Sequence, residues 1–269
     1  MSDPVEVRLR QRQGQIHFAE RPETGFRTGD RGTHTSRTIM LAELSLLLSC
    51  CPQTATRDDY LRAILEDNCL SKRTVATRRL SSQRLSELYA LDPNVRLFWI
   101  MRQCWYADSA GRPLLAILLA LARDPLLKVT APAILKMQAG EELARQQLKD
   151  ALSQSVGGRL NESTLDKVVR NVASSWTQSG HLKGRGRKIR QRVDPTAVAT
   201  AYALCVGFLE GSRGPALLRT LWAEVLDAPT GVLEDLAIDA KRLGLLEISK
   251  SGAVIEMAFS RFLALDERR

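Results

Sequence analysis

The stretch Asn161 to Val193, NESTLDKVVRNVASSWTQSGHLKGRGRKIRQRV, constrains this chain more than any other. Leu165, Val168, Val169, Val172, Ala173 and Trp176 recur at the spacing of one helix face, so they form the apolar stripe of an amphipathic helix. Lys167, Arg170, Asn171, Ser174 and Gln178 fall on the other side. That face reads as free of carboxylates, and its side chains suit phosphates and base edges. Ser163 is placed to cap the helix with Asp166 as capping-box partner, and Gly180 is placed to end it. In the following HLKGRGRKIRQRV, Lys183, Arg185, Arg187, Lys188, Arg190 and Arg192 supply six positive charges and no acid. Gly184 and Gly186 interrupt that run as a hairpin tip does. A polar-faced helix followed by a basic hairpin is the order of recognition helix and wing in a winged helix.

The plain alternative is a solvated helix face beside a solvated loop. Against it stand three coincident features: the carboxylate-free face, the glycine stop and the adjacent cations. Their mutual repulsion destabilises the fold unless a polyanion is near. The whole chain leans the same way. It carries 39 Lys and Arg against 30 Asp and Glu, a net charge of +9, with a pI near 9.6. Arginine dominates, which favours bidentate contacts to phosphate or guanine. A second run, Lys72, Arg73, Arg78, Arg79 and Arg84, precedes the first nearby acid at Glu87.

The five cysteines (50, 51, 69, 104 and 205) are odd in number and form no C-x-x-C. They suit buried thiols in a reducing cytosol and neither a disulfide framework nor a zinc site. The opening residues hold charges where a secretory signal holds an apolar core. The longest apolar run, Leu114 to Ala122, is about half of the roughly 20 residues a membrane span needs. The expectation is a cytoplasmic protein without a membrane partner.

Residues 1 to 36 read as a flexible arm, with a possible hairpin over Val5 to Phe18. Helical patterns then run from Thr38 to Ser49, from Arg57 to Asp67 behind a Thr56 cap, and onward from Ser71 with Ala76, Leu80, Leu88 and Leu91 inward. Asp92-Pro93 restarts the chain. Leu97 to Tyr106 and Leu114 to Ala122 read as buried helices, with Trp99 and Tyr106 in the core more readily than on a stacking platform. Pro132 to Gln154 reads as one or two helices broken at Gly140. Beyond Val193, with Asp194-Pro195 and Thr230 as helix starts, three helices and a hairpin in LLEISKSGAVIEMAF repeat the winged-helix order. There the third helix carries Glu234, Asp235 and Asp239, which repel phosphate, so this module suits a protein surface.

Catalytic constellations are absent from the sequence. His17, His34 and His181 are far apart, and none has a ligand at metal spacing. Cys69, near Lys72 and Arg73, offers a thiol of lowered pKa or, more simply, a small apolar residue at a helix end. GRGRK follows a helix, where a phosphate loop follows a strand.

The segment DDYLRAILEDNCLSKRTVATRRLSSQRLSEL, Asp58 to Leu88, resembles the BrxA family of bacterial BREX phage-defence systems. The likeness lies in a short helix ending in Asn, then a Lys/Arg/Thr-rich helix leading to an Arg-Leu pair. The helical order from Arg37 to about Gly184 also follows the family. The resemblance implies a small, non-enzymatic, mostly helical DNA-binding protein with winged-helix-like domains. This chain departs from the family in its N-terminal arm and its long C-terminal module.

The expected architecture is mainly α: a helical domain over 37–160, then a winged-helix region over 161–269 with short β-hairpins. The expected function is binding of duplex DNA without a cofactor, as an accessory of a phage-defence system with other defence proteins as possible partners. The alternative is a scaffold that binds partner proteins through its C-terminal module.

Overall fold

A computed structural model describes residues 23–251 and 254–263. The possible hairpin over Val5 to Phe18 lies outside the described residues. The fold is mainly helical, with two small two-stranded sheets among the described residues.

Five helices open the fold: α1 (Leu41–Cys50), α2 (Arg57–Leu65), α3 (Val75–Tyr89), α4 (Arg96–Ala107) and α5 (Arg112–Arg123). Every residue of α5 from Leu114 to Ala122 is buried, as its unbroken apolar run requires. Helix α2 begins at Thr56, whose side chain and that of Asp59 form a reciprocal capping box. Helix α3 begins at Val75 and not at Ser71. Thr74 caps it, while Asn68 and Ser71 turn the chain with positive φ, so Lys72 and Arg73 lie before the helix. Ala76 is correspondingly exposed, whereas Leu88 and Leu91 point inward. Tyr106 donates from its hydroxyl to the carbonyls of Leu48 and Cys51, both at 2.9 Å, which ties α4 to the end of α1.

Two short helices, α6 (Pro125–Lys128) and α7 (Ala131–Leu135), lead into a unit of two helices and a hairpin. It comprises α8 (Arg145–Val156), α9 (Glu162–Gln178), β1 (Leu182–Lys183) and β2 (Ile189–Arg190). The segment 140–143 runs along β2 and meets it through an isolated bridge between Glu142 and Ile189. The Gly140 amide donates to Arg190 O at 2.9 Å, that of Arg190 to Glu141 O at 2.8 Å, and that of Leu143 to Lys188 O at 2.8 Å. Helix α9 buries Leu165, Val168, Val169, Val172, Ala173 and Trp176 as its periodicity demands. Its cap is Asn161, whose side chain accepts from the Thr164 amide, so Ser163 already lies inside the helix.

The second module holds α10 (Ala197–Glu210), a 3-10 segment (Gly214–Arg219), α11 (Leu221–Glu224) and α12 (Thr230–Arg242). The antiparallel strands β3 (Glu247–Ser251) and β4 (Val254–Ala258) and a last turn, α13 (Ser260–Leu263), complete it. Thr196 caps α10, two residues later than the Asp194-Pro195 start read from the sequence. Val198 to Gly207 are buried, because α10 packs against α4, α5 and α12.

The segment 23–36, expected to be a flexible arm, is packed into this core. Thr24, Thr33 and His34 are buried, and Thr33–Thr35 form a 3-10 turn on α9. Polar partners distant in sequence hold it there, which local periodicity cannot reveal.

Candidate nucleic-acid interface

The basic surface rests on α9 and on the hairpin after it. Gly180, at φ +90°, ends the helix and lets the chain turn into β1. Leu182 pairs with Arg190 and Lys183 with Ile189, leaving residues 184–188 as the tip. Gly184 is required there. Its φ is +108°, and a Cβ would meet Arg187 O at 2.1 Å.

On this surface Lys167, Arg170, Lys183 and Arg185 are exposed and have no side-chain partner among the described residues. Arg145, at the start of α8, joins them. It lines a groove with Arg170, and burial together with the Arg145 charge holds Lys188 below its ordinary pKa. Nothing in the periodicity of α8 marked Arg145, because its place depends on the segment 140–143 meeting β2. Arg187 is exposed but bonded through Nε to both carboxylate oxygens of Glu142 at 3.0 Å. An exposed pair of this kind contributes little stability and can open to a phosphate.

The acids beside α9 are neutralised. Lys149 reaches Glu162 at 2.9 Å and Asp166 at 3.2 Å. The expectation of a carboxylate-free face therefore holds only beyond the first turn and a half, since Glu162 and Asp166 stand exposed near the helix start.

Three of the cations expected to meet phosphate serve other ends. Arg190 is fully buried; its guanidinium is paired with Asp227 and donates to Ile134 O at 3.0 Å. A charge this desolvated is stable only with such partners. Lys188 donates to Thr177 Oγ1 at 2.9 Å and Gly184 O at 2.8 Å, bracing the tip against α9. Arg192 is exposed and stands 3.6 Å from the Asp227 carboxylate.

The polar face of α9 is corrected further. Asn171 Nδ2 donates to His34 O at 2.8 Å, and Gln178 bonds the Leu41 amide at 3.1 Å and Thr38 Oγ1 at 2.9 Å. Both amides hold the N-terminal segment in place. Bidentate recognition of adenine needs both ends of an amide, so Asn171 and Gln178 are unsuited to it. Ser174 is half-buried in the same strip. Of the expected helix residues, Lys167 and Arg170 remain for DNA.

The run in the helical domain disperses likewise. Lys72 is paired with Glu43 at 3.0 Å, Arg78 Nη1 donates to Leu65 O at 2.7 Å, and Arg84 is paired with Glu87 at 2.7 Å. Only Arg73 and Arg79 of that run are exposed and unpaired among the described residues. Cys69, considered for a lowered pKa, has its thiol pushed up to about 12, chiefly by burial and also by Cys50. It is a half-buried apolar residue, as the simpler reading had it.

One constellation escaped the sequence. His34 Nδ1 lies 2.8 Å from Asp124 Oδ2, and His34 Nε2 lies 2.8 Å from Ser175 Oγ. A Ser-His-Asp chain is catalytic only where a substrate reaches the serine. Here all three side chains are buried, and Ser175 Oγ also accepts from the Ile39 amide at 3.0 Å. Burial acts to raise the Asp124 pKa, but the His34 charge and the hydrogen bonds from His34 and the Leu127 amide outweigh it. The carboxylate sits below its usual range. The trio clamps the 3-10 turn to α9 and to the start of α6. Sequence separations of 90 and 141 residues hid it.

No helix among the described residues is long and apolar enough to cross a membrane. In comparisons with known proteins, no family model and no curated protein matches the chain.

Proposed function

We propose that this protein binds duplex DNA through the first winged helix without catalysing a reaction. One observation carries the reading: Arg145, Lys167, Arg170, Lys183 and Arg185 are exposed and unpaired among the described residues, while Glu142, Glu162 and Asp166 are engaged by Arg187 or Lys149. Cations kept free of carboxylate partners repel one another, and a phosphate backbone relieves that repulsion. The wing residues track the backbone. Arg170 is the helix residue able to reach a guanine edge. Sequence discrimination is therefore modest, since Asn171 and Gln178 face inward. The resemblance of Asp58 to Leu88 to the BrxA family extends this reading to an accessory, cytoplasmic role in a BREX-type phage-defence assembly. Fluorescence anisotropy with a labelled duplex tests it: binding at low salt that weakens steeply as salt rises supports it, and no binding at low salt removes it.

A specific observation favours a second role for the C-terminal module. Helix α12 and its end expose Val232, Ile238 and Leu243 at 45%, 41% and 56%. Glu234 is paired with Lys250 and Asp239 with Arg242, both at 2.6 Å, so of the three acids only Asp235 stands unpaired among the described residues. Apolar side chains on a charge-balanced surface suit a protein partner. This corrects the expectation of a strongly acidic helix while keeping its consequence.

A further inference from the structure

Away from the wing, a groove of about 490 Å³ lies between α2, α3 and the segment around Arg27. Four guanidinium groups line it, those of Arg27, Arg57, Arg79 and Arg123, against a single carboxylate, Glu87. Glu87 is already saturated. It accepts from Thr33 Oγ1 at 2.7 Å, Gln83 Nε2 at 3.0 Å and Arg84 Nη1 at 2.7 Å, and Arg84 does not line the groove.

The four arginines play different parts. Arg123 donates only to main-chain carbonyls, to Glu87 O at 3.1 Å, Gly25 O at 2.6 Å and Ser86 O at 3.3 Å. No carboxylate among the described residues is bonded to it, and burial with the neighbouring Arg27 charge holds its pKa down at about 10. Arg27 is partly engaged, donating to Glu87 O at 3.2 Å. Arg57 and Arg79 are exposed and have no partner among the described residues. The groove therefore holds a fixed, desolvated positive charge at one wall and two free guanidinium forks at its mouth.

We infer that this groove is an anion site for a phosphoryl group, gripped by Arg57 and Arg79 and attracted by Arg123 and Arg27. Four cations against one engaged carboxylate favour a multiply charged ligand over a single carboxylate. The planar fork of arginine matches phosphoryl oxygens two at a time. The phosphoryl group can come from a nucleic-acid backbone or from a free phosphorylated molecule. The chemistry is the same, and the site stands whether or not the wing binds DNA.

Sodium pyrophosphate is the probe, titrated into the full chain at fixed ionic strength with thermal unfolding as readout. The expected result is a saturable rise in Tm that Arg57→Ala/Arg79→Ala weakens at least tenfold in apparent affinity and that Arg219→Ala, at an exposed position outside the groove, leaves unchanged. The Arg57 and Arg79 side chains make no hydrogen bond among the described residues, so the double variant should fold, with circular dichroism as the check. Duplex titration of that variant assigns the source. A salt slope flatter by about two units marks backbone phosphates, and unchanged duplex binding marks a free phosphorylated molecule. Protection no greater than that of matched sodium chloride overturns the site. So does equal protection of the double variant.

Discussion

Arg190 and Asp227 form a buried ion pair that fastens the basic hairpin to the second module, with side-chain exposures of 0% and 2%. Two neighbours reinforce the joint: His181 Nε2 is 2.8 Å from Val225 O, and the Val193 amide donates to Asp227 Oδ2 at 3.4 Å. The wing is therefore presented from a fixed base, and one arginine of the basic run is structural.

Arg190→Ala should destabilise the protein by about 3–5 kcal/mol, because it removes the buried partner of Asp227 and leaves only the exposed Arg192, 3.6 Å away, to face that carboxylate. Arg185→Ala, at an exposed and unpaired position, should change stability by less than about 0.5 kcal/mol. Urea unfolding of the two variants checks the contrast. Equal stabilities would mean that the buried pair does not hold the hairpin.

Helix α9 shows what the sequence makes legible. Its apolar stripe, its stop at Gly180 and the hairpin tip at Gly184 follow from spacing and backbone sterics, and each is local. The same locality explains the misses. A cation in a basic run gives no hint that its partner lies 37 residues on, as Asp227 does from Arg190. Asn171 and Gln178 look like readers of bases until the segment after Thr33 folds across them. The segment 140–143 carries no alternating pattern, and so Arg145 could not be placed beside the hairpin.

Acid should unfold the protein partly through His181. Burial, with an opposing hydrogen bond to Val225 O and the Asp227 charge, brings its pKa down to about 4. The unfolded imidazole protonates near 6.5, so between about 6.5 and 4 the unfolded state binds more protons. Stability therefore falls as pH drops through that window, by about 3 kcal/mol in full. Asp124, held below its ordinary pKa, contributes stability above the usual carboxylate range that is lost at still lower pH. Urea midpoints from pH 7.5 to 4.5 measure the slope. A His181→Gln variant should flatten it, and an unchanged slope in that variant would assign the acid loss elsewhere.

Trp176 should behave as core and not as interface. It is fully buried, donates through Nε1 to Thr130 Oγ1 at 3.1 Å, and meets His181 edge-on at 4.9 Å. Trp176→Ala should cost about 3–5 kcal/mol. At temperatures where the variant stays folded, its affinity for DNA should be unchanged. A variant of full stability with weakened binding would contradict this placement.

Asn171→Ala should lower stability by about 1 kcal/mol through the lost bond to His34 O, without altering discrimination between duplex sequences. Arg170→Ala should weaken binding to guanine-containing sites more than to others. Titrations of both variants on guanine-rich and guanine-poor duplexes separate the roles. Discrimination lost in Asn171→Ala and kept in Arg170→Ala would reverse the assignment.

The central claim is tested most directly by the salt dependence of duplex affinity in the wild-type protein and in Arg185→Ala. Four free cations placed to meet phosphate, Arg145, Lys167, Lys183 and Arg185, predict a log–log slope of about −3.6, and the variant should flatten it by about one unit on every sequence. Binding that ignores salt, or a slope that Arg185→Ala leaves unchanged, would contradict the account.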